Sequence, residues 1–432
     1  MRRWQIALGV AILLLAVGVG AGLWWYKTHT VVREIRGSPT VQFQPNLPPV
    51  VPRPKKQVLA VPWPTYGYSV QRDHVSPFAH RPPYRTLWKL RTGYYIEYPP
   101  TVGYGRVFVT QIEGKFFAVD PRTGRVVWRK DFPFCSSSSP TLADGLVLQT
   151  SVPACGKVSR SLPGQVIAMR ASDGKVVWRL SIASESTPAI VGKVAYIGGW
   201  DGRVYALDVR TGKTLWSTQT DGEIDSSPAY AGGLLFVGNN AGSVYALAAK
   251  SGRVRWIGHS FSSLFHPREY FYATPAVAYG RVYAPNTDGT VYAFGATTGD
   301  LLWARHVGTY VYTAPAIWEK KVYVGTYDGF FYALDAATGD VRWVYDAPAS
   351  IHGAPTVMDG LVYFSTCGTC GQHGVRHSKL GPRGTYALDA NTGKLVWSFP
   401  DGHYSPITAD EQRVYLAGNT VLYGLAPRSG KR

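Results

Sequence analysis

Short apolar runs with alternating polar positions recur along most of the chain, each broken by Gly, Asp-Gly or Thr-Gly turns. One unit repeats: a proline opening a strand, a G-x-V-Y strand, a D-G turn, a V-Y-A-L-D strand, a T-G turn and a closing tryptophan. The copies VYALDVRTGKTLW, VYALAAKSGRVRW, VYAFGATTGDLLW and FYALDAATGDVRW end at Trp216, Trp256, Trp303 and Trp343, and looser copies end at Trp128, Trp178 and Trp397. From opening proline to closing tryptophan, Pro100 to Trp128, Pro188 to Trp216, Pro228 to Trp256, Pro275 to Trp303 and Pro315 to Trp343 each span 28 residues. Pro140 to Trp178 at 38 and Pro355 to Trp397 at 42 keep both ends and lengthen between the second and third strands.

An eighth copy opens at Pro406 and stops before its last strand, while RTLWKLRTG with Trp88 stands just ahead of the first opening proline. A sheet completed by a strand from the other end of the chain closes a ring and removes its free edges. The pattern predicts an all-β fold, an eight-bladed β-propeller over residues 85–432. An alanine ten residues before each tryptophan leaves room for a large neighbour, and a glycine four before it permits a positive φ in the turn. Trp88, Trp128, Trp178, Trp216, Trp256, Trp303, Trp343 and Trp397 are therefore read as structural plates wedged between blades.

Ahead of the repeats, Ile6 to Tyr26 is an uncharged run of 21 residues, read as a transmembrane helix (6–26) behind a cytoplasmic tail (1–5), with a cleaved signal peptide as the alternative. This reading predicts a single-pass protein with its N-terminus inside and its propeller outside the cytoplasm, in a bacterial envelope. Residues 27–84 form a linker and pre-propeller segment; 11 prolines between Gly37 and Pro83 suggest an extended spacer without a core of its own. Composition agrees with β packing: aromatics make up 13%, with 14 Trp and 28 Tyr against 3 Met. The net charge is +18, which suits an acidic protein face, an acidic wall polymer or anionic lipid. Nucleic acid is not expected as a partner, because no nucleic-acid module is present.

The pattern A-x-D-x-x-T-G-x-x-x-W, complete at Ala206, Asp208, Thr211, Gly212 and Trp216 and again from Ala118, Ala333 and Ala387, resembles the tryptophan-docking motif of the pyrroloquinoline-quinone (PQQ) repeat family. WPTYG from Trp63 looks like the lead-in to such propellers. The resemblance implies one of two branches: quinoprotein dehydrogenases, which bind PQQ and calcium or a lanthanide, or non-enzymatic propellers similar to BamB. The first usually carries two adjacent cysteines, and the second a lipidated cysteine; neither feature occurs here. A binding or scaffolding platform with no cofactor is the leading expectation. A PQQ and calcium dependent dehydrogenase, and a small-ligand or metal sensor, are the alternatives.

The residue three before each opening proline is expected to line the mouth of the central channel: Glu97, Ser137, Glu185, Asp225, Tyr272, Tyr312, His352 and His403. A carboxylate arc would then face an aromatic and imidazole arc, suited to a cation or a polar ligand. No catalytic residue is assigned. The loop SFSSLFHPREYFY, with Phe261, Leu264, Phe265, Arg268, Tyr270 and Phe271, has the composition of a protein contact. Cys135 and Cys155 are expected to pair. Cys367 and Cys370 are read as a local disulfide, with a zinc site completed by His373 and His377 as the alternative.

Overall fold

The computed structural model describes residues 2–28, 33–40, 42–44, 60–136, 138–153, 164–262, 267–368, 370, 379–404 and 406–428. Eight antiparallel sheets of four principal strands follow one another along the chain. Blade 1 comprises Thr101–Gly103, Arg106–Thr110, Lys115–Val119 and Val126–Asp131. Blade 5, typical of the rest, comprises Ala276–Ala278, Arg281–Pro285, Thr290–Gly295 and Leu301–His306. Blade 8 takes three strands from Ile407–Ala409, Val414–Ala417 and Val421–Pro427, and its fourth from Tyr84–Arg91, paired from Tyr84 with Pro427 to Arg91 with Val421. The two ends of the repeat region are thus held together by one ladder.

Middle strands are buried on both faces, as in Ser243–Ala248, whereas outer strands such as Thr214–Gln219 alternate towards solvent. Every blade therefore needs its neighbours to cover it. The docking tryptophans make that connection. Their indole N–H groups donate to a carbonyl of the next blade: Trp88 to Pro121, Trp128 to Ala171, Trp178 to Val209, Trp216 to Ala249, Trp256 to Ala296, Trp303 to Ala336 and Trp343 to Ala390, at 2.9–3.2 Å. Each of these rings lies on the T-G turn glycine of that blade; at Gly124, with φ +72°, a Cβ would come within 2.6 Å of Trp88. Trp397 packs edge-on against Tyr84 of blade 8, whose corresponding turn lies outside the described residues.

The Pro-rich segment differs from its expected role as a spacer. Residues 60–76 enter the ring and hydrogen-bond to its innermost strands. Trp63 exchanges both backbone bonds with Val102 of blade 1, and Pro64 accepts from Leu142 of blade 2. Val70, Gln71, Asp73 and His74 accept in turn from Tyr230, Val277, Ile317 and Val357 of blades 4 to 7. This plug is knotted by Arg72, which is fully buried. Its guanidinium donates to the carbonyls of Tyr66, Thr187, Pro188 and Pro228 and to Thr65 Oγ1, at 2.6–3.1 Å. Inner-strand amides at the channel wall have no strand beyond them, and the plug supplies their acceptors. Farther upstream, residues 33–40 and 42–44 lie along blades 5 and 6, so this part of the expected spacer is docked as well.

The membrane reading is overturned. A helix runs Arg2–Thr28. Among the described residues no helix is long and apolar enough to cross a membrane. The single-pass anchor, and the location with the N-terminus inside that followed from it, are withdrawn.

Candidate functional site

The inner strands of the ring start at one end of the channel, and the residues just before their opening prolines gather there. Glu97, Glu185, Asp225, Tyr272, Tyr312 and His352 line one cavity of about 60 Å³, joined by Tyr98 and Tyr404 and floored by Tyr66 from the plug. Of the other two expected mouth residues, His403 is buried behind Tyr404, with its ring 4.1 Å from that phenol ring and its Nε2 4.0 Å from Cys367 Sγ. Ser137 lies outside the described residues. Tyr98 and Tyr404 stand two residues before Pro100 and Pro406, one step from the register used to find the others.

Two of the three carboxylates are held by neutral donors. Tyr272 Oη donates to Glu185 at 2.8 Å, and Asn240 Nδ2 donates to Asp225 at 2.7 Å. Burial pushes Glu97 up to about 7. Burial, then the charges of Asp225 and Glu97, push Glu185 up to about 8. Asp225 is raised by burial and pulled back by its bond from Asn240. At neutral pH the free site therefore retains protons that a bound cation would release.

Opposite the carboxylates runs a continuous aromatic arc. Tyr272 meets Tyr312 edge-on at 4.9 Å, Tyr312 stacks on His352 at 5.6 Å, and His352 meets Tyr404 at 4.6 Å. Tyr327 Oη bonds His352 Nδ1. Burial, reinforced by His403, depresses His352 to about 3, so the imidazole is neutral and adds no positive charge to the arc. Burial, with Arg383 adding to it, holds His403 at about 4. Carboxylates facing ring faces form an environment for one small cation or cationic side chain.

A quinone cofactor does not fit this cavity. About 60 Å³ holds a few waters, against the roughly 300 Å³ or more that encloses a drug-sized ligand. The floor is a side chain of the protein itself, and no two cysteines are adjacent in the chain.

The expected contact loop is turned partly inward. Phe271 is fully buried against Tyr292 and Phe294, and Phe261 packs on Tyr292 at 5.2 Å while its amide donates to the Tyr292 hydroxyl. Phe271 belongs to the blade 4 and 5 core, and Phe261 is partly buried against it. Arg268 and Tyr270 are exposed, and Leu264 and Phe265 lie outside the described residues. Cys367 and Cys370 form a disulfide. Cys135 is also disulfide-bonded; its expected partner Cys155, like His373 and His377, is outside the described residues.

Comparison with known proteins covers the same region. The model of the family described as outer membrane protein assembly factor BamB matches residues 81–223, 200–317 and 287–432. BamB of Shewanella oneidensis is 30% identical over 132 residues, 28% of this chain and 32% of that protein. A polyvinylalcohol dehydrogenase of Sphingopyxis is 25% identical over 189 residues, 36% of this chain and 28% of that protein. The matched segments thus span about a third or less of these relatives' own length. Among solved structures, BamB from Moraxella catarrhalis superposes with a TM-score of 0.63 at 15% identity, over 80% of this chain and all of that one. A europium-containing methanol dehydrogenase gives 0.67 at 14%, over 85% and 98%; at such identities the likeness is one of fold. With its model matched along the whole ring, the chain belongs to the PQQ-repeat family described as outer membrane protein assembly factor BamB.

Proposed function

We propose that the protein is a binding platform for the assembly of envelope proteins and that its channel mouth receives a basic side chain presented by a partner. The observation that carries this reading is the closed channel. A plug hydrogen-bonded around the ring leaves about 60 Å³ above Tyr66, enough for an ammonium or guanidinium head and too little for an organic substrate with a cofactor. Glu97, Glu185 and Asp225 supply the opposite charge, and Tyr272, Tyr312 and Tyr404 supply ring faces for the cation. The family description, which names outer-membrane assembly, supports a scaffold, and the Cys367–Cys370 disulfide suits an oxidising compartment.

Photo-crosslinking from Arg268 and Tyr270, exposed beside the mouth, tests the reading in cells. A discrete partner adduct that weakens at least several-fold in the E185Q/D225N double variant supports it. No adduct in a folded protein, or one indifferent to that variant, contradicts it.

A further inference from the structure

The protein carries a worked example of how its blades bind an extended chain. Ile35 pairs antiparallel with Ala304 on the outer strand of blade 5, with two backbone bonds of 2.9 Å. Gly37 donates to Thr338 O of blade 6, and Arg281 donates to Ser38 O and lies over the Phe43 ring at 5.1 Å. Polar ends fix the register: Arg36 to Asp340 at 3.0 Å, Glu34 to Arg305 at 2.8 Å and Gln42 to Asp300 at 3.0 Å. Gly37 sits so close to Trp303 that a Cβ would come within 2.8 Å of its Cδ1. Trp303 is consequently fully buried, whereas Trp216 keeps part of its surface.

Blades 3 and 4 repeat this geometry 87 residues earlier. Trp216 and Trp256 stand where Trp303 and Trp343 do, and the strand registers agree, Ala206 with Trp216 and Tyr205 with Ser217 matching Ala293 with Trp303 and Tyr292 with Ala304. The corresponding groove is open. Val194 replaces Arg281 and Gly192 replaces Tyr279, leaving a cavity of about 330 Å³ lined by Val194, Tyr196, Leu215, Trp216, Tyr230 and Lys250. Leu215 is 50% exposed.

The charges at its rim are reversed. Asp340 corresponds to Arg253 and Asp300 to Lys213, and Lys193 and Lys250 replace Gly280 and Ala337. All four cations are exposed, and none forms an ion pair among the described residues. The segment carrying Arg33 and Arg36 is thereby disfavoured here, whether it comes from this chain or from a second copy.

From the pseudo-equivalence of the two grooves we infer that the blade 3–4 groove is a docking site for an extended, acidic segment of a partner protein. The segment adds to the outer strand at Ser217, sets a small residue against Trp216 and directs carboxylates to Arg253 and Lys213. The inference rests on the platform reading, but it concerns a side groove, not the channel mouth.

The test is a titration of the full chain with two fluorescent peptides: residues 33–44, and the same peptide carrying R36E and Q42E. The acidic peptide should bind saturably and at least tenfold tighter than its parent. The R253D/K213D protein, checked for unchanged near-ultraviolet circular dichroism, should lose at least tenfold for the acidic peptide. E185Q/D225N should leave this binding unchanged, which separates failure of the groove from failure of the mouth. Absence of saturable binding, tighter binding of the parent peptide, or indifference to R253D/K213D would each overturn the proposal.

Discussion

At the level of single residues, the molecule concentrates its cost in a few buried ionisable groups. Arg72 meets five neutral acceptors and no carboxylate, and burial lowers it to about 10. Its value lies in tying the plug to blades 3 and 4. R72A should destabilise the protein by about 3–5 kcal/mol, read by denaturant unfolding, because five acceptors lose their donor at once. Glu97, Glu185 and Asp73 have the opposite sign from a salt-bridged acid: burial raises them to about 7, 8 and 6. Between about pH 4 and pH 8 the folded state then binds more protons than the unfolded state, so their contribution to stability falls as pH rises. E185Q should raise stability by about 1–3 kcal/mol at pH 8 and flatten that decline, with little effect at pH 4. An equal effect at both pH values would refute this assignment. Six of the mouth residues were legible because one offset from the opening prolines brings residues of blade 1 and blades 3 to 7 to one cavity. The neutrality of His352 and the withdrawal of His403 were not, since both depend on rings contributed by other blades.

At the level of elements, the T-G turn and the tryptophan form one device that recurs around the ring. Gly252 has φ +71° and lies under the Trp216 ring, so G252A combines backbone strain with a clash and should cost about 1–3 kcal/mol in thermal or denaturant unfolding. This device could be read directly from spacing, because a 28-residue period fixes four strands and two turns at once. The plug could not. Most of its bonds run from its own carbonyls to inner strands more than a hundred residues away, and a proline-rich segment without alternation has no local signal for that pairing. The inward turn of Phe271 was hidden for a related reason: aromatic composition is the same whether rings point outward or complete a core.

At the level of the whole molecule, the ring is closed twice, along its circumference by the Tyr84–Arg91 strand and down its axis by the plug. Axial closure leaves a cavity of about 60 Å³ at the mouth of the propeller. It also sets an acidic mouth into a chain of net charge +18, where a basic group would meet opposite charge. Binding of a lysine-bearing peptide at the mouth should tighten from pH 6 to pH 8.5 as Glu97 and Glu185 ionise, opposite in direction to the stability of the free protein. Calorimetric titration at the two pH values checks this.

The most direct measurement of the central claim is a titration of the full chain with PQQ and calcium, following quinone absorbance and melting temperature together. A plugged platform predicts unchanged absorbance and no saturable shift in melting temperature. Saturable binding with stabilisation would show that the channel opens to a cofactor and would contradict the account.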